Sequence, residues 1–194
     1  MNQSLTVGIP DSEFIRGDVP MTKQEIRVLS LSKLQLATGD RILDIGAGTG
    51  SVSVEAARLL PLSPVFAVEC KPRALDLIRD NAARFATPNI HIIEGKAPDG
   101  LEHLSDINKV FVGGSGGNLK EILAWVEAHT LAGARLVVNA VTLDTLVIAR
   151  DYLSGAAFGE LEIIQVTVNR IERIGESDMF RPQSPVFIVS AMRV

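Results

Sequence analysis

At 194 residues and 46% hydrophobic content, the chain is long enough for one domain with a real core. A net charge of −4 with no basic stripe weighs against a general nucleic-acid binder, and a single cysteine, Cys70, excludes an internal disulfide framework or a Cys-rich zinc site. No apolar run approaches the ~20 residues that span a bilayer. Met1 to Pro10 lacks a basic start followed by an apolar run, so a cytoplasmic protein without a secretory signal is expected.

The first twenty residues read as irregular, with Gly8, Pro10, Gly17 and Pro20 as turn formers. Thr22-Lys23-Gln24-Glu25 fits a capping box, Thr22 accepting from the amide of Glu25 and Glu25 reaching back to the amide of Thr22. The helix behind it carries Ile26, Leu29, Leu34 and Leu36 on one face. After a Thr38-Gly39-Asp40 turn, a short strand is predicted over 41–45, a glycine loop over 46–50 and a helix over 52–60. A strand over 65–69 and a helix from Pro72 to about Phe85 come next, Pro72 suiting a first helical turn. Strands follow over 90–94 and 107–112, then a helix over 119–129, a strand over 134–139 and a helix over 143–153. The tail holds two β-rich runs, 161–170 and 185–192, with no helix between them. Alternating strands and helices imply a parallel, doubly wound Rossmann-like α/β sheet, and the tail implies an antiparallel end. No linker-like or low-complexity run divides the chain, so residues 1–194 are expected to form one domain, an N-terminal segment and helix over 1–36 before a core over 37–194.

The strongest constellation is Asp44-Ile45-Gly46-Ala47-Gly48-Thr49-Gly50, between a strand and a helix, where open α/β sheets bind ligands. Glycines allow a tight turn and a close ligand approach, and the helix start supplies amide donors. The spacing is G-x-G-x-G, neither the dinucleotide G-x-G-x-x-G nor a P-loop. A carboxylate at Asp44 repels a pyrophosphate and suits a ligand with cationic groups, such as an amino acid bearing a sulfonium. Glu69 ends the next strand, where an acidic side chain can take both hydroxyls of a ribose. Each of these residues also has a bland reading as a loop cap, a strand end or a turn. The order and spacing together favour a cofactor site.

These residues resemble motif I and the acidic residue after strand two of the class I methyltransferases. The resemblance implies a seven-stranded, mostly parallel sheet and S-adenosylmethionine as cofactor, with Glu69 on the ribose. Gly95-Lys96-Ala97-Pro98 matches the loop that lies against the adenine. Many relatives carry an acidic residue where Lys96 stands, so contact through the backbone of Ala97 is the expectation here.

Further motifs narrow the family. They are Gly8-Ile9-Pro10-Asp11 with Phe14 and Val19-Pro20-Met21-Thr22-Lys23-Gln24-Glu25; Phe111-Val112-Gly113-Gly114-Ser115-Gly116-Gly117-Asn118-Leu119; Asn139-Ala140-Val141-Thr142-Leu143; and Arg181-Pro182-Gln183-Ser184-Pro185-Val186-Phe187. The set resembles, over nearly the whole chain, the decarboxylating precorrin methyltransferases of cobalamin biosynthesis. This is the CbiT family, a unit that also forms the C-terminal half of the larger enzyme CobL, and the standalone form is the one expected. The resemblance implies methylation of carbon-15 of cobalt-precorrin-6B with loss of the carbon-12 acetate carboxyl, giving cobalt-precorrin-7. It also implies a homotetramer and a cofactor contact at Thr22.

Gly113-Gly114-Ser115-Gly116-Gly117 stands where methyltransferases acting on nucleic-acid amines often hold a planar base. Its small residues open space for a bulky macrocycle. An electron-rich ring carbon needs positioning more than activation, so no dedicated nucleophile or general base is assigned. The substrate is rich in carboxylates, and Arg16, Lys23, Arg181 and Asn139 are candidate partners, Arg as a planar fork. Arg16 and Arg181 read equally well as surface residues. Cys70 reads as a small buried apolar residue and Trp125 as packing. His91, His103 and His129 lack metal-ligand spacing, so no metal is expected beyond cobalt inside the substrate. The rival readings are a transfer-RNA or other small-molecule class I methyltransferase, an isoaspartate-repair methyltransferase, and a sensor or inactive scaffold that keeps the pocket.

Overall fold

The structure is a computed structural model and describes residues 7–194. Of the irregular start expected over Met1 to Pro20, residues 1–6 lie outside the described residues.

The elements follow one another in the anticipated rhythm. A short 3-10 turn (Asp11–Glu13) precedes α1 (Gln24–Leu34), β1 (Ile42–Ile45), α2 (Ser51–Leu59), β2 (Val65–Glu69), α3 (Pro72–Arg84) and β3 (Ile90–Glu94). Then come β4 (Ile107–Val112), α4 (Leu119–His129), β5 (Thr130–Ala140), α5 (Leu143–Leu153), β6 (Phe158–Val166), β7 (Asn169–Ile174), β8 (Ser177–Pro182) and β9 (Val186–Arg193). Seven strands form one sheet in the order β3-β2-β1-β4-β5-β9-β6. Strands β1 to β5 pair in parallel, and β9 runs antiparallel between β5 and β6. The mostly parallel sheet with an antiparallel C-terminal strand is as the sequence reading had it.

Side-chain alternation along the strands divides the core. Leu43, Ile45, Val110, Val112, Leu136 and Val138 join the apolar faces of α4 and α5. Ile42, Phe111, Val137 and Ile188 join α1 and α2. Trp125 packs within the first cluster, as expected. No helix among the described residues is long and apolar enough to cross a membrane.

Four local expectations are corrected. The capping box does not form: Lys23 is the N-cap of α1, with no side-chain cap bond. A stronger partner draws the Glu25 carboxylate away, since it accepts from Arg170 Nη2 at 2.7 Å. The helix stops at Leu34 because Gln35 turns left-handed, leaving Leu36 beyond it. The run over 161–170 belongs to two strands, and β8 was not anticipated at all. β7 and β8 form a separate antiparallel hairpin around Gly175 and Glu176, whose every residue is exposed. Finally, Cys70 is exposed, one residue past the end of β2.

Candidate active site

The strand order reverses between β1 and β4, and the crevice opens at their carboxyl ends. The loops leaving these strands are bonded to their neighbours. Gly46 and Ala47 donate to the Val68 carbonyl at 3.0 and 3.1 Å, and Gly113 donates to the Ile45 carbonyl at 2.9 Å. Gly46 has φ +71°, and a Cβ there would meet the Gly114 carbonyl oxygen at 2.2 Å. Only glycine lets the two loops approach this closely.

A cavity of about 700 Å³ lies over this junction. Gly46, Ala47 and Gly48 line one wall with Glu69 and Ala97, and Gly113, Gly114, Ser115 and Gly116 line another. Thr22 and Asn139 also reach it. Most of the sequence-predicted residues are therefore brought together.

The rest sit elsewhere. Thr49 is fully buried, and Gly50 packs against Ile78 at the start of α2; neither lines the cavity. Asp44 is also behind the wall, 1% exposed, with the Ser53 hydroxyl donating to Oδ2 at 2.5 Å and no partner for Oδ1. Burial pushes its carboxyl up to about 7 against the pull of Ser53, and the nearby Glu69 charge adds to the rise. Asp44 therefore supports the wall from behind, and Glu69 is the carboxylate that lines the cavity itself. Arg16 lines a second, smaller cavity. Arg181 lies on β8, exposed, its Nε donating to Glu172 at 3.2 Å.

Glu69 is held by three backbone donors: Gly48 N to Oε2 at 2.9 Å, and Cys70 N and Lys71 N to Oε1 at 2.8 and 3.0 Å. A carboxylate offers about four acceptor directions, so Oε2 keeps one for a ligand hydroxyl. Asn139 lines the cavity 3.1 Å from the Ser30 hydroxyl, whose one proton also faces the Ile26 carbonyl at 2.7 Å. His91 stacks on Phe66 and His129 on Trp125.

Sequence reasoning missed two parts of the site. The first is the exposed thiol of Cys70, which lines the cavity beside Glu69. The second is what holds the N-terminal segment, whose Val19 to Lys23 close one side. Arg27, fully buried on α1, donates from Nε to Glu55 at 2.6 Å, from Nη1 to Asp11 at 3.2 Å, and from Nη2 to the Ile9 carbonyl. Glu55 accepts from the amides of Gly8 and Ile9 at 3.0 and 2.8 Å. Asn81 on α3 accepts from the Ile15 amide and donates to the carbonyls of Ile15 and Thr49, tying the same segment to the glycine loop.

Comparison with known proteins places this arrangement. The model for the precorrin methyltransferase domain matches residues 13–193. The chain is 39% identical over 184 residues to the cobalt-precorrin-6B C(15)-methyltransferase (decarboxylating) of Salmonella typhimurium, covering 94% of this chain and 95% of that one. The crystal structure of precorrin-6y C5,15-methyltransferase from Geobacter metallireducens superposes with a TM-score of 0.90 at 41% identity, covering 97% of each chain. A SAM-dependent O-methyltransferase from Thermotoga maritima shares the fold, with a TM-score of 0.75 at 18% identity over 90% of this chain and 66% of that one. With nearly its whole length matched, the chain belongs to the precorrin methyltransferase family.

Proposed function

We propose that this chain is a decarboxylating, S-adenosylmethionine-dependent methyltransferase of cobalamin biosynthesis. It methylates carbon-15 of cobalt-precorrin-6B and removes the carbon-12 acetate carboxyl to give cobalt-precorrin-7. It acts as one methyltransferase domain, in the cytoplasm, as a homotetramer. The observation that carries the reading is the shared cavity. A glycine cradle with a fixed carboxylate and a loop of small residues face one space, in a chain matched along its length by relatives of that name.

The residues present fit the cofactor. Gly46, Ala47 and Gly48 would hold it along the cavity wall, Glu69 Oε2 would accept a ribose hydroxyl, and the backbone of Ala97 would face the adenine. When bound, S-adenosylmethionine supplies the transferable methyl group. Thr22 closes the cavity from the N-terminal side. Gly113 to Gly116 leave the macrocycle room to bring carbon-15 in line, so the protein contributes orientation rather than a nucleophile. Asn139, Lys23 and Arg16 meet substrate carboxylates, and Arg181 can join them only by leaving Glu172. Loss of carbon dioxide breaks the bond between the carboxyl and methylene carbons. The electron pair passes into the protonated macrocycle, and a proton taken up at the methylene carbon completes the new methyl.

Anaerobic incubation with S-adenosylmethionine and cobalt-precorrin-6B, read by mass spectrometry, tests the reading. One methyl gained and one carbon dioxide lost is the expected product. Methylation alone would remove the carbon-12 chemistry. An unchanged substrate beside intact cofactor binding would overturn the acceptor.

A further inference from the structure

A second cavity of about 370 Å³ adjoins the first, with Lys23 and Gln183 in the walls of both. Neither of its two sides comes from the central sheet. Asp11, Arg16 and Lys23 belong to the N-terminal segment, and Arg170 and Gln183 to the base of the β7–β8 hairpin. Three cations, Arg16, Lys23 and Arg170, line it against one carboxylate, Asp11. That carboxylate is already held by the buried Arg27 at 3.2 Å, with Lys23 at 3.7 Å. Arg170 is paired to Glu25 at 2.7 Å, and Arg16 has no ion pair among the described residues. Counting Glu25 and the Glu55 behind Arg27, the region still keeps one uncompensated positive charge.

We propose that this second cavity is an anion subsite that receives a peripheral carboxylate of the macrocycle while the reacting carbon lies in the first, with Arg16 and Arg170 as its specificity-determining residues. The inference rests on the proposed function and deepens it. A polycarboxylate macrocycle seated over the Gly113–Gly116 loop carries acidic arms around its rim, and the shared wall at Lys23 and Gln183 gives one of them a way through. There Arg16 offers an unpaired guanidinium and Gln183 an amide donor, while the Gln24 amide already donates to the Gly8 carbonyl at 2.9 Å. Glu25 competes with the incoming carboxylate for Arg170, so its charge lowers affinity for the anion.

The test compares wild type with Arg16→Gln, Arg170→Gln and Glu25→Gln. It reads KM and kcat with cobalt-precorrin-6B, Kd for S-adenosylmethionine by calorimetry, and binding of uroporphyrin, an octacarboxylate porphyrin that needs no turnover. Each arginine variant is expected to raise KM and weaken uroporphyrin binding about tenfold, the effect of one charge-assisted hydrogen bond. kcat and cofactor affinity stay unchanged. Glu25→Gln is expected to shift KM and uroporphyrin binding the other way, which a merely structural Arg170–Glu25 pair would not do. Unchanged KM in both arginine variants, with wild-type turnover intact, overturns the subsite and leaves the proposed function standing. So does an equal loss of cofactor affinity, which marks general loosening. A wild type inactive on cobalt-precorrin-6B, with uroporphyrin binding that still weakens in the arginine variants, overturns the proposed substrate and supports the subsite.

Discussion

A methyl group on Gly46 would land 2.2 Å from the Gly114 oxygen and 2.7 Å from its nitrogen, and backbone atoms cannot step aside as a flexible side chain can. The left-handed φ adds strain for any L side chain. Gly46→Ala is therefore expected to weaken S-adenosylmethionine binding about 100-fold, the combined size of an overpacked contact and a strained backbone. Gly114 has open space at its own Cβ position. Gly114→Ala should hold cofactor affinity within about threefold, as ordinary unstrained substitutions do. Calorimetric titration of both variants checks the contrast, and equal losses would remove the close-approach argument. Asp44 answers to a different force. Its carboxyl ionises near 3.8 when unfolded and near 7 when folded, so between about pH 4 and 7 the folded state holds a proton that the unfolded state has released. Stability therefore falls as pH rises through that window and levels off above it. Asp44→Asn is expected to abolish this slope, raising the melting temperature above pH 7 by roughly 5 °C and changing it little near pH 4. A melting series across pH would show it, and a parallel pH profile in the variant would mean that Asp44 is not the group titrating.

Helix α1 carries its functional weight on an unusual stripe. Arg27, Ser30, Leu31 and Leu34 share the buried side at helical spacing, with a guanidinium where an apolar residue would be expected. That misplaced charge was the signal in the sequence. Its partners Asp11 and Glu55 lie 16 and 28 positions away, and local pattern carries no trace of them. Removing one member of a buried ion pair strands the other, which costs about 3–5 kcal/mol. Arg27→Ala is expected to lower the melting temperature by roughly 10 °C and to speed hydrogen exchange at the Gly8 and Ile9 amides, which Glu55 would no longer hold in place. Cofactor affinity should fall as well, because the freed segment runs on to Thr22 at the cavity wall. Undiminished protection of those two amides would show that the segment is anchored elsewhere. The central strands β1 and β4, by contrast, were legible because they are buried between two helical layers and read as short apolar runs. The β7–β8 hairpin was not: with both faces exposed, neither strand carries the alternation that burial imposes.

Across the whole molecule, the fold is shared with a methyltransferase of another kind, and the N-terminal segment and the base of the hairpin shape the space in front of the sheet. The glycine loop and Glu69 were readable because their spacing is local. The second cavity was not, because Arg16 and Arg170 meet only after the chain has folded. The hairpin has a further consequence. Ile171 and Phe180 are a cross-strand pair, 66% and 74% exposed, on a two-stranded ribbon that no third strand supports. Such a ribbon is marginal alone in water, and apolar residues this exposed favour association. The proposed homotetramer is expected to cover them. Ile171→Asp with Phe180→Asp would place two carboxylates directly opposite each other on that face, adding repulsion between strands and between subunits. The double variant is expected to run as a smaller species by light scattering while keeping its circular dichroism and its S-adenosylmethionine affinity, since the cofactor cradle lies within one chain. An unchanged mass would mean that the subunits meet through another face. A monomeric wild type would remove the tetramer and leave the exposed pair without a partner.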